Sequence, residues 1–343
     1  MYYITIDCGT TNSRAYVVDA EGKVYGKATE HVGVRDTSMT GSRDKLRSGL
    51  RKIVAEAIDL SGIDRQEISA VLSSGMITSE IGLKEIPHQM APCSLDDLSK
   101  SITKIDDAGI IDDIPVYFIR GIKNHMEDDG RRPMQRVGEL DFMRGEETQL
   151  AGMLCRKDMK LPATVVILSS HTKFNAIDGS GTVLGSLTTM SGQVYAAVKD
   201  ATFVGKSVEQ RDNAEPMPED YFDETIVEDA VSWIRECGLV RSLMFTRFAD
   251  VLLHTKWYER HLFYDALVAA EDTLAIHQMK LFTDKPSHDY YLIGNKERCR
   301  LYEYLIRSMD PEAKTVSITD ESEIDELSIK GILHVAGKAG IVK

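Results

Sequence analysis

The chain carries a repeat on the scale of a domain, and a duplication restricts the choice of fold more than any single motif does. Asp19-x-x-Gly22-x-x-x-Gly26 returns as Asp178-x-x-Gly181-x-x-x-Gly185, 159 residues further on at each of the three positions. Each copy follows the same run of elements. Tyr2, Ile4 and Ile6 alternate with Tyr3, Thr5 and Asp7, then come the polar turn Gly9–Ser13 and a second strand from Arg14. In the later copy Thr164–Leu168 is the strand, Ser169–Lys173 the polar turn, and Phe174–Ile177 the second strand. A DxxG turn alone is ordinary hairpin chemistry. Strand order, turn placement and downstream helices agreeing together make it a duplication.

Length supports two such halves, since 343 residues at roughly 150 per domain suit a pair. The division expected is an N-terminal domain over 1–145, a connecting helix over 146–160 and a C-terminal domain over 161–343. The helical period begins at Ser42, with Leu46, Leu50, Ile53, Val54 and Ile58 on one face. The charged, Pro-bearing stretch from Glu127 to Arg136 reads as a mobile loop.

Charge and cysteine usage exclude several classes. With 54 acidic against 41 basic residues the net charge is −13, which opposes non-specific binding to nucleic acid or an anionic membrane. No apolar run approaches the length of about 18 residues that a transmembrane helix needs. The start, Met1 to Arg14, lacks the basic and apolar regions of a secretory signal. Cys8, Cys93, Cys155, Cys237 and Cys299 are odd in number, scattered and never in CxxC spacing. Neither a disulfide framework nor a zinc site is expected, and the expected compartment is the cytoplasm. A homodimer stays open.

The two polar turns point to phosphate chemistry. Gly9 admits close backbone approach, and Thr10, Thr11 and Asn12 offer donors to phosphate oxygens, with Arg14 as a nearby cation. Asp7, at the strand end, is placed to hold Mg²⁺ directly or through water. The second turn, Ser170-His171-Thr172-Lys173, is also donor-rich and carries a cation suited to a β- or γ-phosphate. The strand–turn–strand setting distinguishes both from a GxxxxGK[ST] loop, which is absent.

At these residues the chain resembles the sugar kinase/heat-shock 70/actin superfamily, through DxGTTxxR, the duplication and the later strand–Gly-Asn–helix. Within it, Met143-Arg144-Gly145-Glu146-Glu147-Thr148-Gln149 is identical to the MRGEETQ motif of 2-dehydro-3-deoxygalactonokinases. Gly75-Met76-Ile77-x-Ser79 with Glu85 and Pro87 resembles that family's GMIGS…E-x-P stretch. Ser170–Phe174 resembles its THSKW turn, Thr189–Gly192 its FMTGE segment, and Leu292–Gly294 its LIG strand. Departures are Ser169 for a glycine, Gln193 for the glutamate of FMTGE, His88 where an aromatic is usual, and Tyr264–Ala270 for YLSGLLIG.

The resemblance implies an α/β fold of two ribonuclease H-like, actin-like ATPase domains with a mixed sheet each, the active site lying in the interdomain cleft. It implies ATP and Mg²⁺ as cofactors and a sugar acid as substrate. The reaction implied is phosphorylation of 2-dehydro-3-deoxy-D-galactonate to its 6-phosphate. A kinase for another sugar acid, a phosphatase-like member resembling exopolyphosphatases, and a non-catalytic nucleotide-binding member are the alternatives. Phosphoryl transfer needs a carboxylate to accept the attacking hydroxyl's proton. Glu147 is the first choice for that base and Glu146 the second, with Asp7 for the metal. Gly75, Met76 and Ser79 would line the sugar-acid pocket, with Glu85 accepting a hydroxyl hydrogen bond. Arg144 would pair with a glutamate or bind the substrate carboxylate, and Gly294 and Asn295 would border the adenine.

Overall fold

The computed structural model of the chain describes every residue except Asn213. The alternating start forms β1 (Tyr2–Cys8), which turns back into β2 (Ser13–Asp19) and then β3 (Val24–Glu30). β1 and β2 pair antiparallel with Asp7 opposite Arg14 and Cys8 opposite Ser13. The strand β4 (Ile68–Gly75) runs parallel to β1 and sets Ser74 beside Asp7 and Gly75 beside Cys8. These lie in a six-stranded sheet continued by the strands Val116–Phe118 and Thr103–Ile105.

The helix with the period read from Ser42 is α2 (Asp44–Ser61), preceded by the short α1 (Val34–Thr40). It buries Leu46, Leu50, Ile53, Val54 and Ala57 in one core with Ile4, Ile6, Val17 and Val71. Removing side chains of that kind from water at roughly 25 cal/mol per Å² is the driving force that holds helix to sheet. Gly26 permits the close approach, because a Cβ there would stand 2.2 Å from the Ala57 carbonyl oxygen.

A second sheet, of five strands, repeats the 3-2-1-4 order with which the six-stranded one begins. In space it runs Val183–Thr189, Thr172–Ile177, Ala163–Leu168, Asp289–Ile293, Lys314–Ile318. The last three are mutually parallel, as β1 and β4 are. The repeat extends to single hydrogen bonds. The Asp19 carboxylate accepts from the amides of Glu21 and Lys23, and the Asp178 carboxylate from those of Ser180 and Thr182. Gly22 and Gly181 take φ of 87° and 84°, which favours glycine.

Two compact units result. One comprises Met1–Ala163, Ala176–Ser186 and Asp320–Lys343; the other comprises Thr164–Asn175 and Leu187–Thr319. The sequence-order division at 145 and 161 does not coincide with them. The helix Glu146–Leu154 and the last helix, Glu321–Lys338, both belong to the first unit. They approach so closely that a Cβ on Gly331 would lie 1.9 Å from the Thr148 carbonyl oxygen. Residues 127–132 form a loop as expected, but 133–136 do not. Pro133–Arg136 is a short helix opened by proline, and Arg136 is buried against Asp128 and Asp129. No helix among the described residues is long and apolar enough to cross a membrane.

Candidate active site

In the first unit the site is built on the carboxyl ends of the parallel neighbours β1 and β4, where α/β sheets commonly bind ligands. The Gly9 amide donates to the Asn12 carbonyl at 2.9 Å and closes the turn. Its outward carbonyls are then pinned by the start of α1. The Val34 amide donates to the Gly9 carbonyl at 3.2 Å and the Arg35 amide to the Thr10 carbonyl at 2.9 Å. In a planar trans peptide the N–H points opposite to the C=O. The Thr10 and Thr11 amides are therefore turned away from α1, available to an anion. Asn12 is held through its side-chain oxygen by His31 at 2.8 Å, a partner that no local motif announces.

Asp7 lies 3.6 Å from Arg14, each side chain about two-fifths exposed. The crowding around it raises its proton affinity, Arg14 opposing and Asp325 adding to the rise. Asp325 comes from the last helix and accepts from the Tyr16 hydroxyl and the Lys27 ammonium, both at 2.8 Å. Cys8 is no nucleophile, since burial pushes its thiol up to about 12.

Gly75 and Gly145 bring the remaining parts together. Gly75 has φ 87°, and a Cβ on it would meet the Cys8 carbonyl oxygen at 2.7 Å and Asp7 Oδ1 at 3.5 Å. A Cβ on Gly145 would lie 3.5 Å from the Gly75 Cα. Gly145 caps the Glu146–Leu154 helix, so the helix start that carries Glu147 enters the structure next to Gly75. Only 1% of Glu147 is exposed. Its Oε2 accepts from the Gly145 amide at 2.7 Å, whereas the buried Oε1 has no partner. Burial, reinforced by the charge of Glu146, pushes this carboxyl up to about 8. Glu146 instead accepts from the Arg144 amide at 3.1 Å.

Other residues expected around the sugar acid have structural partners. Arg144 donates to the Thr78 carbonyl at 2.7 Å, the Thr78 hydroxyl at 2.5 Å and the Ile86 carbonyl at 3.1 Å, with His88 Nδ1 at 3.4 Å. Its guanidinium ties down the 76–86 loop, where the sequence suggested a glutamate or substrate carboxylate as partner. Ser79 is buried and donates to the Met76 carbonyl at 2.7 Å. Met76 is half-buried and packs against the core. Glu85 is exposed, and its charge is felt at Arg144.

In the second unit, strand Ala163–Leu168 ends in the turn Ser169–His171. Ser170 is exposed and His171 half-buried, with desolvation and Lys173 holding the imidazole towards its neutral form. Thr172 and Lys173 are buried, unlike open phosphate ligands. The Thr172 hydroxyl meets Ser191 Oγ at 2.7 Å, and Lys173 Nζ donates to Thr188 Oγ1 at 2.7 Å. Gly294 abuts the end of the same strand, a Cβ there falling 2.8 Å from Leu168 Cβ. Asn295 caps the helix Lys296–Met309, accepting from the Arg298 amide at 2.8 Å. Arg298 itself donates to the Ser169 carbonyl at 2.9 Å and to Thr172 Oγ1 at 3.1 Å. No residue around the Gly-Asn turn marks it out in the sequence.

The family described as 2-keto-3-deoxy-galactonokinase matches residues 7–335 of this chain. The chain belongs to that family. Within curated proteins, it is 25% identical over 254 residues to a Rhizobium meliloti protein named "Probable 2-dehydro-3-deoxygalactonokinase", covering 74% of this chain and 72% of that one. It is 24% identical over 212 residues to the 2-dehydro-3-deoxygalactonokinase of Escherichia coli, covering 62% and 61% respectively. A solved Sinorhizobium meliloti structure titled for the same activity superposes with a TM-score of 0.71 at 20% identity, covering 98% of both chains. That likeness bears out the α/β, actin-like fold that the resemblance implied. The family span runs from Asp7 to within the last helix, so both hairpins and the MRGEETQ helix start lie inside it.

Proposed function

We propose that the protein is an ATP-dependent kinase that phosphorylates 2-dehydro-3-deoxy-D-galactonate to its 6-phosphate, with Glu147 as the base. Membership of the 2-keto-3-deoxy-galactonokinase family supports the reaction. The observation that carries the residue assignment is the buried Glu147 carboxyl with one unpartnered oxygen, two residues after the glycine that packs against Gly75. A carboxyl titrating near 8 is matched to proton abstraction around neutral pH. Glu147 Oε1 takes the proton of the primary hydroxyl. The hydroxyl oxygen forms its bond to the γ-phosphorus as the bond to the β,γ-bridging oxygen breaks, and ADP leaves. The Gly145 amide holds Oε2 and so orients the acceptor oxygen of the same carboxyl.

The nucleotide phosphates are taken by backbone donors of the Gly9–Asn12 and Ser169–His171 turns. Arg14 supplies charge at the first. Asp7 fits a divalent cation, offering an open oxygen ligand beside donors that would hold phosphate. Mg²⁺ held by Asp7 would supply charge neutralisation for the transferring phosphoryl group. Gly75 and the 76–86 loop, held by Arg144, shape the acceptor side. Gly294 and Asn295 border the adenosine. An enzyme drawing on ATP with all five cysteines free suits the cytoplasm.

A coupled assay of ADP release across a panel of 2-keto-3-deoxy sugar acids tests the reaction. Turnover is expected with 2-dehydro-3-deoxy-D-galactonate, and the absence of turnover with every acid of the panel would overturn the assignment. Glu147→Gln is expected to lower kcat by roughly 10²–10⁴-fold. A variant as active as the parent would remove Glu147 from the base position.

A further inference from the structure

We infer that Arg298 is a positioning residue for phosphoryl transfer: it aims the Ser170 amide of the second turn at the nucleotide. The inference rests on reading that turn as a phosphate site. Among the described residues the peptides other than Ala91–Pro92 and Leu161–Pro162 are trans, so each carbonyl sets the direction of the next amide. In the first turn two backbone amides of α1 pin the carbonyls of Gly9 and Thr10. In the second, the Gln193 amide pins the Ser170 carbonyl at 2.9 Å and thereby directs the His171 amide. The preceding carbonyl, that of Ser169, is pinned by the Arg298 side chain at 2.9 Å. The two hairpins thus use the same device, with one backbone donor replaced by a guanidinium.

Arg298 is well placed to be rigid. Its other nitrogen donates to Thr172 Oγ1 at 3.1 Å, and the same hydroxyl is fixed against Ser191 Oγ at 2.7 Å. Its guanidinium stands 5.9 Å from the centre of the Tyr302 ring. Tyr302 is in turn fixed by its hydroxyl on Asp272, which also holds Thr189. A planar fork spans two acceptors on two residues at once; an ammonium reaches them as a point charge.

The test compares Arg298→Ala and Arg298→Lys with the parent in steady-state kinetics and in hydrogen exchange with and without ADP. Removing a charge-assisted bond of this kind is expected to raise the KM for ATP roughly tenfold or more. The KM for the sugar acid should stay within about twofold of the parent. ADP should protect the amides of 169–173 in the parent and fail to do so in Arg298→Ala, with Arg298→Lys between the two. Equal protection and unchanged KM for ATP in the folded variants would overturn the inference. So would a parallel rise in both KM values, which marks general loosening. If ADP leaves the 169–173 amides unprotected in the parent itself, the phosphate reading of the turn falls, and the role of Arg298 with it.

Discussion

Glu147 and Glu146 are adjacent, chemically identical and both at a helix start, yet the fold treats them differently. Glu147 is sealed from water with one bare oxygen, while Glu146 caps a backbone amide. The native Glu147 carboxyl titrates near 8 against an ordinary 4.5. Between those values the folded protein holds a proton that the unfolded chain has released, so stability contributed by the neutral carboxyl is lost as pH rises towards 8. Glu147→Gln should accordingly raise the melting temperature at pH 8 and leave it nearly unchanged at pH 4.5, measured by thermal denaturation at the two values. In the parent, kcat/KM should climb with pH through an inflection near 8. Because the Glu146 charge helps to raise Glu147, Glu146→Gln should remain active with that inflection displaced to lower pH. An inactive Glu146→Gln would reverse the order of the two glutamates.

At the level of elements, the site depends on a few close approaches of backbone to backbone. A Cβ on Gly33 would lie 2.3 Å from the Thr10 carbonyl oxygen, at the junction where α1 pins the first turn. Gly33→Ala should push α1 off the turn, raising the KM for ATP and lowering stability by about 1–3 kcal/mol, as read by kinetics and urea unfolding. The 76–86 loop, proposed for the acceptor side, relies on Arg144 in the same way. Its guanidinium reaches Thr78, Ile86 and His88 together, which a lysine ammonium does not match in geometry. Arg144→Lys should raise the KM for the sugar acid several-fold more than that for ATP, with faster amide exchange over 76–86. The duplication, the hairpins and α2 were legible because their signals are local: alternation, turn residues and helical period. Burial of Thr172 and Lys173 was not, since a donor-rich turn reads the same whether its side chains face solvent or their own sheet.

On the scale of the whole molecule, the last helix returns to the unit that begins the chain. Gly331 and Gly152 let it lie almost backbone to backbone against the helix that carries Glu147. Gly331→Val should force the two helices apart, lowering the melting temperature and, by moving Glu147, kcat; an unchanged kcat in a destabilised variant would show that the base is positioned without this contact. The same helix brings Asp325 to Tyr16 and Lys27, more than 290 residues away in sequence. Division of the chain in sequence order at 145 and 161 misses this return, because a closing helix leaves no mark on the composition of the segment it rejoins.

The sequence by itself determined the duplication, the α/β class, the paired polar hairpins and the family, the last through seven consecutive residues at Met143–Gln149. All of these are written in short-range order: period, turn chemistry and motif. Which of two neighbouring glutamates lost its water, where Arg144 and Lys173 found their partners, and that Arg298 holds the second turn were decided only by the tertiary structure. Desolvation and hydrogen-bond pairing depend on what arrives from distant parts of the chain, and neither is a property of a residue and its sequence neighbours.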